Sequence, residues 1–512
     1  MLDHGDYVLV CLVGIACLLY PVLDNTIPPL MDYPGHLSRV YILYDLLHDH
    51  IFGEMYQYRF VIVPNLAVDG ICLGLMELGL SAEISGRVFV AITVVVMAGG
   101  VLAWHYAIFR RWSCCPMLIF PFIYHDIFFY GFINYFFGIG VAFLGAAIWR
   151  LNEGRRLPGP LLILLLFSIL LFFSHLMALL IMVGLIVGRG LGSQVLRRHR
   201  SKSAMLRLLA GAAVGLLPLG LLAFAPLLGE SSPLSFAAIT RQLSLAVLVS
   251  RFTLLRNVTW GYDHVTDLVS LACLAVIAGY VLLVRALRVD LASVVPFVGL
   301  IAVYLIVPEY IFGTSYAVER LPIVIFMTVV GSTDMVMRQR WERIALPGLL
   351  VALSLLRGAA VESAWARANA AFSPLLAALD RVPAYARIYS ANAVNGTIAS
   401  LVRMPFGSLP GYAVIRRNAY FSGTFAIPSQ NLVVRQPRYA AGPPTPGFYH
   451  AGQPTTLNDP HDPYTDAQLA FYDYALIINP ELWPNQPPAN LKPVVAGPGY
   501  TLFAIARTHV VP

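Results

Sequence analysis

The sequence predicts a mainly α-helical polytopic membrane protein: a transmembrane bundle of about eleven helices, interfacial helices in the first outer loop, and a small C-terminal α/β domain. Three observations carry this. Hydrophobic residues are 58% of the 512 and charged residues only 12%, where soluble domains carry roughly a quarter charged, and the mean hydropathy is +0.72. Long apolar runs alternate with short arginine clusters. After residue 358 the long apolar runs stop, and prolines, asparagines and tyrosines become frequent.

A bilayer requires about twenty apolar residues per crossing helix, fewer where the helix is sunk in a bundle. The qualifying runs are 7–23, 86–108, 114–128, 131–149, 158–173, 175–190, 204–228, 265–286, 291–308, 321–337 and 344–358. The first lacks a basic leader and a small-residue cleavage site, so it reads as a retained helix rather than a signal peptide. The basic clusters are Arg110-Arg111, Arg150 with Arg155-Arg156, Arg197-Arg198-His199-Arg200 with Lys202, Arg285 with Arg288, and Arg338 to Arg343. In a soluble chain a net charge of +7 would suggest nucleic acid, but no basic stripe is interleaved with aromatics. Clusters between apolar runs instead mark cytoplasmic loops. With all of them on one side the crossings alternate without a missing or surplus helix, provided that 114–149 and 158–190 are hairpins of short helices. Their tips are His125-Asp126 and Ser174-His175.

By this parity the bundle, 1–358, lies in the inner (plasma) membrane with an outer loop at 24–85, and the domain 359–512 is extracytoplasmic. Within the loop, Asp69 and Glu77 interrupt an apolar run ending at Leu80, which favours membrane-surface helices over a further span. A second outer loop, 229–264, holds Arg241, Arg251, Arg256 and Trp260 to His264 and reads as another interfacial helix ending in a polar turn. In the tail, strand-like runs stand at Ala386–Ser390, Asn431–Val434, Ala475–Ile478 and Thr501–Ala506, helix candidates at 359–381 and 466–473, and a Pro/Gly-rich loop at 440–464. The six cysteines, at 11, 17, 72, 114, 115 and 273, fit no metal-ligand spacing and read as buried small hydrophobes. No internal repeat of the inverted-repeat transporter kind stands out.

Chemistry concentrates in Asp24 to Arg39, where two carboxylates, a histidine and an arginine follow the first apolar run. Prolines 28, 29 and 34 deny this stretch a regular helix until about Gly35. His36 and Arg39 then share one face of a short amphipathic helix lying along the interface, able to meet a phosphate or sugar; Arg39 alternatively snorkels to lipid headgroups. Asp32, held among prolines beside an apolar surface, suits a general base; its bland role is a helix N-cap. Asp24 is a second carboxylate or metal ligand, or a simple interfacial residue. The predicted topology brings His125, Asp126, His175, Asp263 and Arg320 to the same face. Arg320 opens a span from the outer side, against the positive-inside bias, which fits binding of a lipid-linked phosphate or pairing with Glu309 or Glu319. His175 fits either that cavity or a packed, hydrogen-bonded site.

One helix, a long outer loop with an early acidic residue, interfacial helices, many further spans and an outer C-terminal domain follow one another here. So do the strings Asp32-Tyr-Pro-Gly-His-Leu-Ser-Arg39, Pro64-Asn65 and Gly131-Phe-Ile-Asn-Tyr135. This pattern resembles a bacterial branch of the GT-C superfamily of integral membrane glycosyltransferases. The resemblance implies inverting transfer of a sugar from a polyprenyl-phosphate-linked donor to an extracytoplasmic glycan or lipid acceptor. It implies Asp32 as base, Asp24 as the alternate, and Arg320 steadying the phosphate leaving group. The first loop lacks the Asp-x-Asp or adjacent acidic pair of the family, so a divalent cation stays open as a cofactor. Two other classes compete: a lipid or saccharide transporter or flippase, which would carry its ionisable groups near the midplane, and a non-catalytic envelope-assembly protein, which would not need the first-loop carboxylate.

Overall fold

The computed structural model describes residues 4–196, 201–224, 242, 244–309, 316–394, 404–421, 423–426, 431–434, 448–450, 463–483 and 485–506. Arg197 to Arg200, Arg241 and most of the 440–464 loop lie outside the described residues. The fold is mainly helical. In chain order come α1 (His4–Asp24), α2 (Tyr33–Leu47), β1 (Tyr56–Tyr58), α3 (Ala67–Glu77), α4 (Ala82–Phe109), a 3-10 segment (Cys115–Phe122), α5 (Asp126–Phe129), α6 (Ile133–Leu151), α7 (Pro158–Ser174), α8 (Leu176–Leu196) and α9 (Lys202–Leu216). Then follow α10 (Leu245–Leu254), α11 (His264–Leu283), β2 (Leu287–Val289), α12 (Val294–Ile306), α13 (Leu321–Ser332), β3 (Thr333–Met335) and α14 (Glu342–Leu379). Among the described residues seven helices are long and apolar enough to cross a membrane: α1, α4, α6, α8, α9 with its extension to Phe224, α11 and α14. Three further apolar helices, at 158–174, 291–306 and 321–332, are shorter.

The helix expected over 114–128 is not one. Pro116 and Pro121 each lack the amide proton that an α-helix uses, and Cys115–Phe122 winds as 3-10 turns. It nevertheless tracks α1 from end to end. Trp112 packs on Tyr7 at 5.3 Å between ring centroids, a Cβ on Gly14 would stand 2.6 Å from the Phe120 ring, and the Tyr124 hydroxyl donates to the Leu18 carbonyl at 2.6 Å. This segment therefore carries the chain from the far end of α4 back to the start of α6. It explains how α4 and α6 run parallel, with Phe89 on Phe137 at 5.4 Å and Gly100 against Gly140.

Among the described residues, arginines assigned to one side gather at one end, where Arg189 joins them. Arg111 binds Asp334 on β3, Arg150 binds Glu153 at 2.6 Å and Arg189 binds Asp290 at 2.8 Å, and β2, with Arg288, pairs antiparallel with β3. At the other end lies the first loop. Its helix α2 starts at Tyr33, two residues earlier than expected, with Pro34 in the first turn where a missing amide proton costs nothing. Rather than lying along an interface, α2 is clamped on two faces: Tyr33, Leu37 and Val40 join the bundle core, and Ile42 and Leu43 join a second core with Tyr389, Val414 and Ile477.

That second core belongs to the C-terminal unit. The boundary expected at 358/359 falls inside α14, which runs unbroken for 38 residues, about 57 Å at 1.5 Å per residue, from the arginine-rich end into the C-terminal unit. There β4 (Arg387–Val394), α15 (Gly411–Arg417), β5 (Tyr420–Phe421), β6 (Leu432–Val434), β7 (Phe448–His450), α16 (Asp466–Phe471), β8 (Tyr474–Ile478), β9 (Leu491–Gly497) and β10 (Tyr500–Ile505) follow. The sheet order is β5-β4-β8-β10-β9, with β7 also on β4. β4 is parallel to β5, β7 and β8, while β10 is antiparallel to β8 and β9. The strand expected at 431–434 forms, but pairs with β1 of the first loop.

Candidate functional site

Asp32 sits where four pieces of chain meet. Its amide donates to the Tyr130 carbonyl at 3.1 Å, and the Met31 amide to Phe129 at 2.9 Å, so the loop is laced to the end of α5. Gly131, with φ at +85°, closes this turn, and a Cβ there would stand 2.8 Å from the Asp32 nitrogen. From the C-terminal unit, Ser408 Oγ donates to the Met31 carbonyl and Gly411 abuts the Pro34 carbonyl. Asp32 takes the N-cap position of α2, yet its carboxylate makes no cap hydrogen bond. The carboxylate has no hydrogen bond or ion pair among the described residues, and Asp32 is half-buried. Burial pushes its pKa up to about 7, with the Arg320 charge pulling the other way.

Arg320, 5% exposed, opens α13. Its guanidinium lies 3.8 Å over the Phe132 ring and 5.5 Å from that of Tyr135, its Nη1 donates to His175 Nε2 at 3.0 Å, and its carbonyl accepts from the Tyr135 hydroxyl at 2.6 Å. A guanidinium only donates, so Nε2 is the acceptor in this contact, while the Met177 amide points at Nδ1 at 3.2 Å. Burial and then the Arg320 charge push the His175 pKa well below its ordinary value, so this histidine is a neutral acceptor that orients the arginine. Burial also draws Arg320 down to about 10, and Tyr135, Asp32 and Glu319 oppose the shift; it remains a cation at neutral pH. Arg320 Nε and the buried Oε2 of Glu319 have no partner among the described residues. The Gly131–Tyr135 string thus meets the site with Gly131 against Asp32 and with Phe132 and Tyr135 around Arg320, while the Asn134 side chain accepts from the Val68 amide at 2.8 Å and donates to the Asn65 carbonyl at 3.0 Å.

Other candidates are placed elsewhere or in other roles. Arg39 is fully buried rather than snorkelling, and is gripped bidentately by Asp69, with Nη2 2.8 Å from both carboxylate oxygens, while its Nη1 has no partner among the described residues. Asp263 is exposed and caps α11, accepting from the Thr266 hydroxyl at 2.5 Å and the Thr266 amide at 3.0 Å, the bonds that lower its pKa, the hydroxyl first. Asp24 is exposed and meets Glu362, which in turn accepts from Asn25 at 3.0 Å. His36 is half-buried, and its Nδ1 has no partner among the described residues. His125 is 1% exposed with Nδ1 bonded to the Ile123 carbonyl at 2.7 Å. Asp126 accepts from Asn257 at 3.1 Å, and burial, with Asp267 adding repulsion, raises its pKa to about 6.

His125 and Asp126 adjoin a centre that the sequence did not mark. Arg357, in the middle of α14, reaches the carbonyls of Thr259 at 2.9 Å and Tyr124 at 3.1 Å, and Asp267 at 3.2 Å. A lone arginine inside an apolar run was the available signal, since such a charge must find partners. Among the described residues no three His, Cys, Asp or Glu side chains come together to hold a metal ion, so no step is assigned to one. Comparison with protein-family models, curated proteins and solved structures gives no match. The functional reading therefore rests on the site.

Proposed function

We propose that this chain is a membrane glycosyltransferase of GT-C type, transferring a sugar with inversion from a polyprenyl-phosphate donor to an extracytoplasmic glycan or lipid acceptor. The observation that carries it is the half-open, unpartnered carboxylate of Asp32, set against a buried arginine that a neutral histidine orients. In this reading Asp32 takes the proton of an acceptor hydroxyl. The oxygen attacks the anomeric carbon from the face opposite the phosphate, the new glycosidic bond forms, and the carbon–phosphate oxygen bond breaks. The departing phosphate monoester is held by Arg320, whose fixed charge needs no reorganisation. Asp32 is preferred to Asp24 because it alone is near Arg320's charge, while Asp24 is engaged with Glu362.

The same reading sets the chain in the inner membrane, with the Asp32 end and the C-terminal unit outside. In this reading the seven long helices, the three shorter ones and the 112–124 segment serve as the crossings, a count supported by their alternating direction between the two ends. Mass spectrometry of envelope glycans and glycolipids, with and without the gene, tests the activity. A sugar present only when the protein is present is the expected result; identical profiles, with free polyprenyl-phosphate sugar unchanged, would contradict it.

A further inference from the structure

The C-terminal unit contributes more to the Asp32 end than a cover. Residues 423–425 pass over the start of α2: a Cβ on Gly35 would stand 2.9 Å from the Gly423 carbonyl and 2.9 Å from the Phe425 ring, and the Phe425 ring centroid lies 4.9 Å from that of His36. Phe425 holds φ at +53°, a left-handed conformation that a bulky residue keeps only where its surroundings over-determine it, often at ligand clamps. Between these anchors Thr424 is fully buried, yet its Oγ1 has no hydrogen-bond partner among the described residues, and neither has His36 Nδ1. Buried polar atoms are nearly always paired, and a ligand is one way such orphans become satisfied.

We infer that this strap and the first turn of α2 form a carbohydrate-binding subsite, in which Thr424 and His36 hydrogen-bond ligand hydroxyls and Phe425 offers its ring to the C–H face of a sugar. The ligand class follows from the charges. Burial, then Arg39, pushes the His36 pKa down to about 3, and threonine is neutral. Arg39, the nearest cation on α2, is held by Asp69. A phosphate finds no countercharge here, whereas a polyol finds two neutral hydrogen-bonding groups and an aromatic face. The subsite takes its place in a reaction from the transferase reading, on which it rests.

The test uses the full chain in lipid nanodiscs and saturation-transfer NMR with free glucose, mannose, galactose and arabinose. Wild type is expected to bind at least one of them. Thr424→Val, which replaces an unpaired hydroxyl by a methyl, should weaken that binding tenfold or more without lowering the melting temperature. Thr424→Ser should restore it, and Asp32→Asn should keep it. No binding of any of the four by wild type, or equal binding by wild type and Thr424→Val, overturns the subsite. The two readings fail separately. Sugar binding that Thr424→Val weakens, in a protein without transfer activity, supports the subsite and sinks the transferase. Transfer that Asp32→Asn abolishes, with binding indifferent to Thr424→Val, does the reverse.

Discussion

Asp32 combines a helix-start position with a carboxylate that does not cap, and its chemistry follows from that. A carboxyl whose folded pKa stands near 7, above its ordinary 3.8, is favoured in its protonated form by the fold. Its contribution to stability is fully present below about pH 4 and is lost as pH rises through about 7. A base must be ionised, so transfer should rise with pH and be half-maximal near 7. Asp32→Asn should accordingly melt higher than wild type at pH 8, with the gap closing towards pH 4, as thermal unfolding in detergent at both pH values would record; a lower melting temperature at pH 8 would contradict the burial argument. The sequence made Asp32 legible through its prolines and its isolation. It did not show that Arg39 is taken by Asp69, because helical periodicity reports which face a residue shares and not which residue thirty positions away lies opposite. Asp263 was legible as a cap in retrospect, being followed three residues later by the threonine that donates to it.

At the scale of elements, α2 is held by glycine contacts and one buried ion pair. Removing one partner of such a pair strands a charge, which costs about 3–5 kcal/mol, while replacing both by apolar groups of similar volume is often neutral. Arg39→Met should therefore destabilise the protein by about that amount, and Arg39→Met with Asp69→Leu should recover most of it, measured as a double-mutant cycle of denaturant unfolding. Gly131 positions Asp32 through its positive φ and its close approach. Gly131→Ala should lower transfer at least tenfold while the melting temperature falls only a few degrees, since the added methyl pushes on the Asp32 backbone directly. The 3-10 segment shows where apolar length misleads: Cys115–Phe122 is as hydrophobic as a helix, and only Pro116 and Pro121 told otherwise. Strands β4, β8 and β10 were legible as short, largely apolar runs bounded by turn residues.

Over the whole molecule, two chemistries sit at opposite ends of parallel helices. Arginines paired with Glu153, Asp290 and Asp334 mark one end, and Asp32, His175 and Arg320 mark the other, joined by α1, the 112–124 segment and α14. Reporter fusions at residue 200 and after residue 382 should report opposite sides of the membrane, and same-side signals would overturn the orientation. The bundle and the C-terminal unit were legible as separate compositions; their union through α14, β1–β6 and the shared core on α2 was not, because long-range pairing leaves no local period. The central claim is that Asp32 is the base of sugar transfer from a lipid phosphate. It is tested most directly by incubating vesicles containing wild type or Asp32→Asn with a radiolabelled polyprenyl-phosphate sugar at pH 8 and counting label in membrane glycolipid and polysaccharide. The variant is expected to lose incorporation by about 100-fold or more while remaining folded; equal incorporation by the two would remove Asp32 as the base.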